Sequence, residues 1–224
     1  MQNVFDLLSG TCVMLLKRTR DNVEFLGTAF AIREDGFLAT TAHILEKHDE
    51  LMISPAKSLH GYQSMHRDKV DCMPVNLVSV DEQADVALLK LTQANTLRLP
   101  KKLLGETKNL LPGTPMMRLG FSLARYGMQT LLMHSGHLAV KLEDENATRQ
   151  LLVEGVTYPD ACGGPLIDTT RSEIVGVITN QLTFTVKQQF GFAVPDKNLQ
   201  PETISTELTR ASPIEIIVRM LDEI

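Results

Sequence analysis

Tryptophan is absent from this 224-residue sequence, cysteine occurs only three times, and no apolar run exceeds about six residues. Runs that short exclude a membrane-spanning helix, which needs about 20 apolar residues. Cys12, Cys72 and Cys162 are an odd number at long spacings, which argues against a disulfide framework. The first ten residues carry no Lys or Arg, so the basic start of a secretory signal is missing and the chain reads as cytoplasmic. Basic residues gather only in short pairs such as Lys17-Arg18 and Lys101-Lys102, and the net charge is −5. A mildly acidic chain without a basic patch is a poor ligand for phosphate backbones, so no nucleic-acid partner is expected. Repeats and low-complexity tracts are also missing. Hydrophobic residues at 43% and charged residues at 22% suit a packed core rather than disorder.

What is present is mostly strand-like. Thr11 to Lys17 and Val23 to Ile32 are apolar or alternating runs joined by the turn Thr19-Arg20-Asp21-Asn22. Asp35-Gly36 supplies a second turn before the strand Phe37 to Thr41. Leu51 to Ile53, Val75 to Val80 and Val86 to Leu91 read as further strands, with a polar loop over Ser54 to Pro74. A connector over Leu97 to Pro112 ends in Pro112-Gly113, and strands resume at Pro115 to Gly120, Gln129 to Val140, Gln150 to Val156, Pro165 to Ile167, Glu173 to Thr179 and Gln188 to Val194. Many short strands punctuated by Gly, Pro, Asn and Asp predict an antiparallel sandwich or barrel, and no βαβ units appear. At the end, Ser212-Pro213-Ile214-Glu215 resembles an N-cap, a first-position proline and a capping-box glutamate. Ile216, Ile217, Met220, Leu221 and Ile224 then give a closing helix an apolar face. That face is expected on the second half of the chain; a partner or a further downstream domain is the alternative. The polar run Lys141 to Arg149 reads as a solvated loop, or as a regulatory contact.

Three segments carry chemistry. Gly27-Thr28-Ala29-Phe30-Ala31-Ile32 and Asp35-Gly36-Phe37-Leu38-Ala39-Thr40-Thr41-Ala42-His43 form a strand, a turn and a strand ending in histidine. Asp85 opens the apolar strand that runs to Leu91. Asp160-Ala161-Cys162-Gly163-Gly164-Pro165-Leu166 puts a nucleophile-capable side chain on a glycine-rich turn before a strand. Each alone is weak evidence, because a histidine after a strand, a strand-end carboxylate and a cysteine beside glycines are common structural features. Together they supply a nucleophile, a base and a group to orient the base, in the order His, Asp, nucleophile that marks the chymotrypsin-type triad. Other groupings are poorer. His60, His66 and Cys72 match no ordinary zinc spacing, so neither metal nor cofactor is expected. Cys12, within an apolar run, reads as a buried core thiol.

These segments resemble the trypsin-like peptidase superfamily, and most closely the HtrA/Deg-type protease domain. Leu119-Gly120-Phe121, Ser135-Gly136-His137-Leu138, Cys162-Gly163-Gly164-Pro165-Leu166, Val175-Gly176-Val177-Ile178-Thr179 and Gly191-Phe192-Ala193-Val194-Pro195 resemble successive pieces of that domain, in order, over about residues 11 to 197. The resemblance implies an all-β fold of two six-stranded antiparallel barrels. The N-terminal barrel would span 11–110, the C-terminal barrel 113–197, and a helical segment 198–224. It further implies an endopeptidase acting on polypeptides, with His43 as general base and acid, Asp85 orienting it and Cys162 as nucleophile. Backbone N–H groups around Asp160, Ala161 and Cys162 would form the oxyanion hole. Val156 would lie near the base of the P1 pocket, whose lack of an acidic residue suggests a small or medium apolar P1 side chain. Thr179, Asn180 and Gln181 would lie along the edge that pairs with substrate. Two residues depart from the family pattern: Cys162 replaces serine, as in viral chymotrypsin-like cysteine proteases or by a laboratory change, and Asp160 replaces glycine. The carboxylate of Asp160 leaves open a silent or latent pseudo-peptidase serving as a binding module. A protease domain of a larger protein, activated by a partner or by homo-oligomerisation, is a third reading.

Overall fold

The computed structural model describes residues 2–46, 50–56, 62, 71–93, 99–156, 158, 161–186 and 202–224. Strands β1 (Cys12–Arg18), β2 (Val23–Arg33), β3 (Phe37–Thr40), β4 (Leu51–Pro55), β5 (Met73–Asp81) and β6 (Val86–Leu91) close into an antiparallel barrel in the order β1-β2-β3-β6-β5-β4. Strands β7 (Pro115–Gly120), β8 (Leu132–Glu143), β9 (Arg149–Glu154), β10 (Pro165–Asp168), β11 (Glu173–Val186) and β12 (Glu202–Pro213) close a second in the order β7-β8-β9-β12-β11-β10. The two orders are the same, so the barrels repeat one topology. Helix α1 (Gln2–Leu8) precedes the first barrel and α2 (Ile214–Asp222) follows the second. No helix among the described residues is long and apolar enough to cross a membrane.

Successive side chains of a strand point to opposite faces, and here both faces are used. Val13 and Leu15 of β1 join Leu38, Ile53, Val75 and Leu89 inside the first barrel. Their neighbours Cys12, Met14 and Leu16 turn outward into a cluster that also takes Met117 and Leu119 of β7, Val177 of β11 and Ile214 and Ile217 of α2. Met116, Leu138, Leu151, Val153, Leu166 and Ile178 fill the second barrel. Burial on both sides explains why β1 and β6 read as nearly unbroken apolar runs instead of alternating ones.

The structure differs from the sequence reading at several places. Helix α1 has no expected counterpart: at seven residues it is too short for a period to show, and it is docked by Val4 and Leu8. Within the segment read as helical from 198, Glu202–Pro213 is instead strand β12, which completes the second barrel beside β9 and β11. That barrel therefore extends beyond 197. The Gln188 to Val194 strand, including Gly191 to Pro195, lies outside the described residues. Ser212 is not a helix cap, since Pro213 occupies that position without a side-chain bond. Ser212 Oγ donates across the barrel interface to the buried carbonyl of Ala84, and the Glu215 carboxylate accepts from Thr107 N–H at 2.6 Å and Thr107 Oγ at 2.8 Å. Removing the donor strands a buried carbonyl, so Ser212→Ala should cost about 1–3 kcal/mol, read by chemical denaturation.

The run over 141–149 is not a loose loop. β8 continues to Glu143, and Asp144 Oδ1 accepts from the N–H groups of Asn146 and Thr148, both at 2.9 Å, to close a tight hairpin. Gln83 Nε2 of the first barrel donates to Asn146 O at 3.1 Å and Thr148 Oγ1 at 2.8 Å. Arg219 of α2 reaches Asp81 at 3.0 Å. The turn that leads into Asp85 is thus braced by the second barrel from several sides.

Candidate active site

His43 follows the end of β3, and Asp85 is the last residue before β6, the strand paired with β3. Asp85 sits at φ 55, in the left-handed region, where aspartate is among the residues that tolerate the strain. The conformation is held by its neighbours. Thr41 Oγ1 donates to Asp85 O at 2.9 Å and Ala42 N–H to the same carbonyl at 3.3 Å. Its carboxylate then engages His43 twice, accepting the backbone N–H on Oδ1 at 2.9 Å and lying 2.8 Å from Nδ1 through Oδ2. A carboxylate facing Nδ1 keeps the proton there and leaves Nε2 as the acceptor.

The electrostatics follow the geometry. The hydrogen bond to the Asp85 carboxylate raises the His43 pKa above its ordinary value, against a lowering by partial burial. For Asp85, partial burial acts upward, but the hydrogen bonds and charge of His43 outweigh it and the net shift is downward. Asp85→Asn removes the charge that favours imidazolium, so the His43 pKa should fall toward the ordinary value near 6.5. Ring-proton NMR across pH reads this directly; an unmoved titration would show that Asp85 does not control the ring.

Cys162 lies on the turn before β10 and is 2% exposed. Gly163, at φ +85, donates its N–H to Ile178 O at 2.7 Å, and Ile178 N–H returns to Gly164 O at 2.8 Å. The turn is also fastened to the first barrel. Thr28 N–H donates to Cys162 O at 2.9 Å, Thr28 Oγ1 accepts from Phe121 N–H at 3.0 Å, and Thr40 Oγ1 donates to Thr28 O at 2.8 Å. Gly27 permits the approach: a Cβ there would fall 2.9 Å from Cys162 O and 2.7 Å from Ile44 Cδ1. The carbonyl of Cys162 and the residue after His43 therefore meet over one glycine. Cys12 is a different kind of thiol, buried in the core with its pKa pushed up to about 12 by desolvation. None of the three cysteines is in a disulfide.

The other expected site residues fare unevenly. Asp160 lies outside the described residues. Ala161 donates its N–H to Tyr158 O at 2.9 Å. Thr179 is buried, with Oγ1 donating to Arg210 O at 3.3 Å, and Gln181 Nε2 donates to Thr206 O. Both side chains thus turn toward β12, and only their backbone can face substrate. β10 pairs with β11 no further than Val177, so among the described strands the edge of β11 at 179–181 has no neighbour on that side. Asn180 is half-buried there. Val156 is exposed, and its carbonyl accepts from Arg118 Nη1 at 3.3 Å. His60 and His66 lie outside the described residues, and no group of three metal-ligating side chains occurs among the described ones.

Sequence reasoning missed Arg118, which is 4% exposed. Its Nη1 also donates to Gly155 O at 3.1 Å and to Thr209 Oγ1. Its partner across the β7–β8 register is His134, whose pKa is lowered by burial and then by the charge of Arg118. The available signal was parity: Arg118 shares the inward face of β7 with Met116, so a lone cation in an apolar strand had to point into the barrel.

Residues 27–177 match the family described as "Trypsin-like peptidase domain". Among curated relatives, serine protease HTRA1 of Xenopus laevis is 25% identical over 177 residues, covering 78% of this chain and 34% of the relative. A probable periplasmic serine endoprotease, DegP-like, of Halomonas elongata is 27% identical over 175 residues, covering 76% of this chain and 32% of the relative. The chain therefore spans about a third of the length of these proteins. Among solved structures, the HtrA-type protease AlgW with a decapeptide superposes with a TM-score of 0.69 over 99% of this chain and 66% of its own, at 16% identity, which establishes the shared fold. Because the family match spans about two-thirds of the chain and takes in His43, Asp85 and Cys162, the chain belongs to the trypsin-like peptidase domain family.

Proposed function

We propose that this domain is an endopeptidase that hydrolyses peptide bonds through a covalent intermediate on Cys162. The observation that carries the reading is the two-point grip of Asp85 on His43, at 2.9 and 2.8 Å, which leaves Nε2 as the proton acceptor. In the first step Cys162 Sγ attacks the scissile carbonyl carbon and its proton passes to His43 Nε2. The tetrahedral intermediate collapses to a thioester as His43 returns that proton to the departing amine. Water, deprotonated by the same nitrogen, then releases the acid product and the thiol. Asp85 stabilises the imidazolium formed in both halves and is not itself protonated. A thiol next to a histidinium is readily held as thiolate, so catalysis leans less on the aspartate than a serine enzyme does. The loss in kcat/KM for Asp85→Asn should accordingly fall short of the roughly 10⁴-fold loss typical of a serine triad. Substrate would add as an extended strand along the β11 edge, with main-chain bonds supplying affinity.

A latent domain, switched on by a partner or by self-association, is favoured by one observation: the Ala161 N–H is already donated to Tyr158 O. The test for both readings is the count of new termini in a mixture of unfolded polypeptides, wild type against Cys162→Ala. Cleavage that depends on the thiol supports the enzyme. Matched samples, with cleavage restored by no added partner, would leave a binding module.

A further inference from the structure

Thr40 closes β3 and Thr41 follows it. Neighbouring residues of an extended chain point to opposite sides, so their two hydroxyls serve different partners. Thr40 Oγ1 donates to Thr28 O at 2.8 Å. Thr41 Oγ1 instead faces His43 and Asp85, donating to Asp85 O at 2.9 Å and lying 3.2 Å from His43 Nδ1. Both threonines are fully buried. A hydroxyl has one proton and two lone pairs. With its proton on the Asp85 carbonyl, Thr41 Oγ1 can only accept at Nδ1. There it stands as a second, longer acceptor beside Asp85 Oδ2 at 2.8 Å. One buried oxygen thus touches the backbone of Asp85 and the ring of His43 together.

We propose that Thr41 is a positioning residue for His43 and Asp85: its hydroxyl fixes the backbone from which the Asp85 carboxylate reaches the ring, and a lone pair of the same oxygen gives the Nδ1 proton a second acceptor. The effect on rate rests on the endopeptidase reading; the effect on the ring does not. Asp85 stands at φ 55, a conformation unfavourable for a residue with a Cβ and kept only where its surroundings over-determine it. Its carbonyl takes two donors, and the Thr41 hydroxyl at 2.9 Å is closer than the Ala42 N–H at 3.3 Å. Both contacts of the carboxylate with His43, at 2.9 and 2.8 Å, spring from that one strained Cα. Releasing the carbonyl lets residue 85 relax toward an ordinary backbone and turns both contacts away at once. The hydroxyl also helps hold the Asp85 carboxylate in its charged form, behind the larger effects of His43. Sealed from solvent, Thr41 touches no substrate and acts only through Asp85 and His43.

The experiment follows the His43 ring by NMR across pH in Cys162→Ala protein, where no thiol at 162 couples to the titration, with and without a second change at Thr41. The hydrogen bond to Asp85 holds the ring's pKa up, and Asp85 is the charged group that acts on it among the described residues. Thr41→Val keeps the shape and removes the hydroxyl, so the titration should move down toward the ordinary histidine value. Thr41→Ser keeps the hydroxyl and should titrate as its parent does. Thr40→Val controls for general loosening: it removes an equally buried hydroxyl one residue away and should leave the ring's titration in place. An unmoved ring in Thr41→Val, or an equal shift in Thr40→Val, overturns the proposal. A departure from the parent titration in Thr41→Ser overturns it too, whether or not Thr41→Val folds. With Cys162 present, Thr41→Val should lower kcat about 2- to 10-fold, the worth of one hydrogen bond, with KM nearly unchanged and Thr41→Ser close to wild type. Thiol-dependent hydrolysis with kcat and titration both indifferent to Thr41→Val defeats the positioning role but not the peptidase. A shifted ring in Thr41→Val without hydrolysis by any of the proteins sustains the positioning role and defeats the peptidase.

Discussion

Replacing Cys162 with alanine should reduce peptide hydrolysis by on the order of 10⁴-fold or more while leaving the domain folded. The size follows from how triads work: nucleophile and base act as one unit, and what survives loss of the nucleophile is only the rate from substrate positioning and backbone donors. The fold should survive because the turn has main-chain bonds of its own. Its main-chain bonds run from Thr28 N–H to Cys162 O, Gly163 N–H to Ile178 O and Ile178 N–H to Gly164 O, and none passes through a side chain at 162. Unfolding curves of the two proteins should therefore nearly coincide while their yields of new peptide termini diverge. Cleavage that persists in Cys162→Ala would remove this thiol from the mechanism.

Gly163→Ala should produce the largest loss of stability of any single methyl group added to this site. At φ +85 an L-residue is strained on backbone grounds alone, by about 1 kcal/mol. The added Cβ would also fall 2.0 Å from Thr28 O and 2.3 Å from Thr40 Oγ1. Those atoms bond to each other and fasten β2 to β3, so neither can yield without disturbing the wall of the first barrel to which the nucleophile turn is tied through Thr28 N–H. A cost on the order of 4 kcal/mol is expected, seen as a fall in Tm of about 8–16 °C for a domain of this size. Gly113→Ala separates the two contributions. Gly113 has nearly the same backbone angle, φ +87, with nothing within 4 Å of the added carbon, and should cost only about 1 kcal/mol. Equal losses at the two positions would show that clash at Gly163 plays no part.

Much of this site is legible in the amino-acid sequence because its parts are local. Thr41-Ala42-His43 closes one strand, Asp85 opens another, and the Cys162 turn carries the glycine its φ requires; each reflects a few adjacent residues. Strand patterning likewise locates β1 to β3 and β6 well, since apolar side chains on both faces leave a compact run. Sequence patterns mislead where a residue's role depends on a distant neighbour. β12 is invisible to them because its polar, threonine-rich run becomes a strand only when β9 and β11 hydrogen-bond it on both sides. Ser212 resembles a helix cap until the fold offers it the Ala84 carbonyl instead.

The sequence by itself determined a fold of short antiparallel strands, the His-Asp-Cys order and the need for glycine at the nucleophile turn, because strand periodicity and backbone conformation are properties of short stretches; the two-barrel form was implied by the family resemblance. The tertiary structure alone decided that Asp85 grips His43 at two points, that Ala161 donates its N–H to Tyr158, and that the buried Arg118 guanidinium donates to the Val156 carbonyl. Those outcomes join residues 42, 3 and 38 positions apart. Only barrel closure and the docking of one barrel on the other bring such groups within the few ångströms over which hydrogen bonds and charges act.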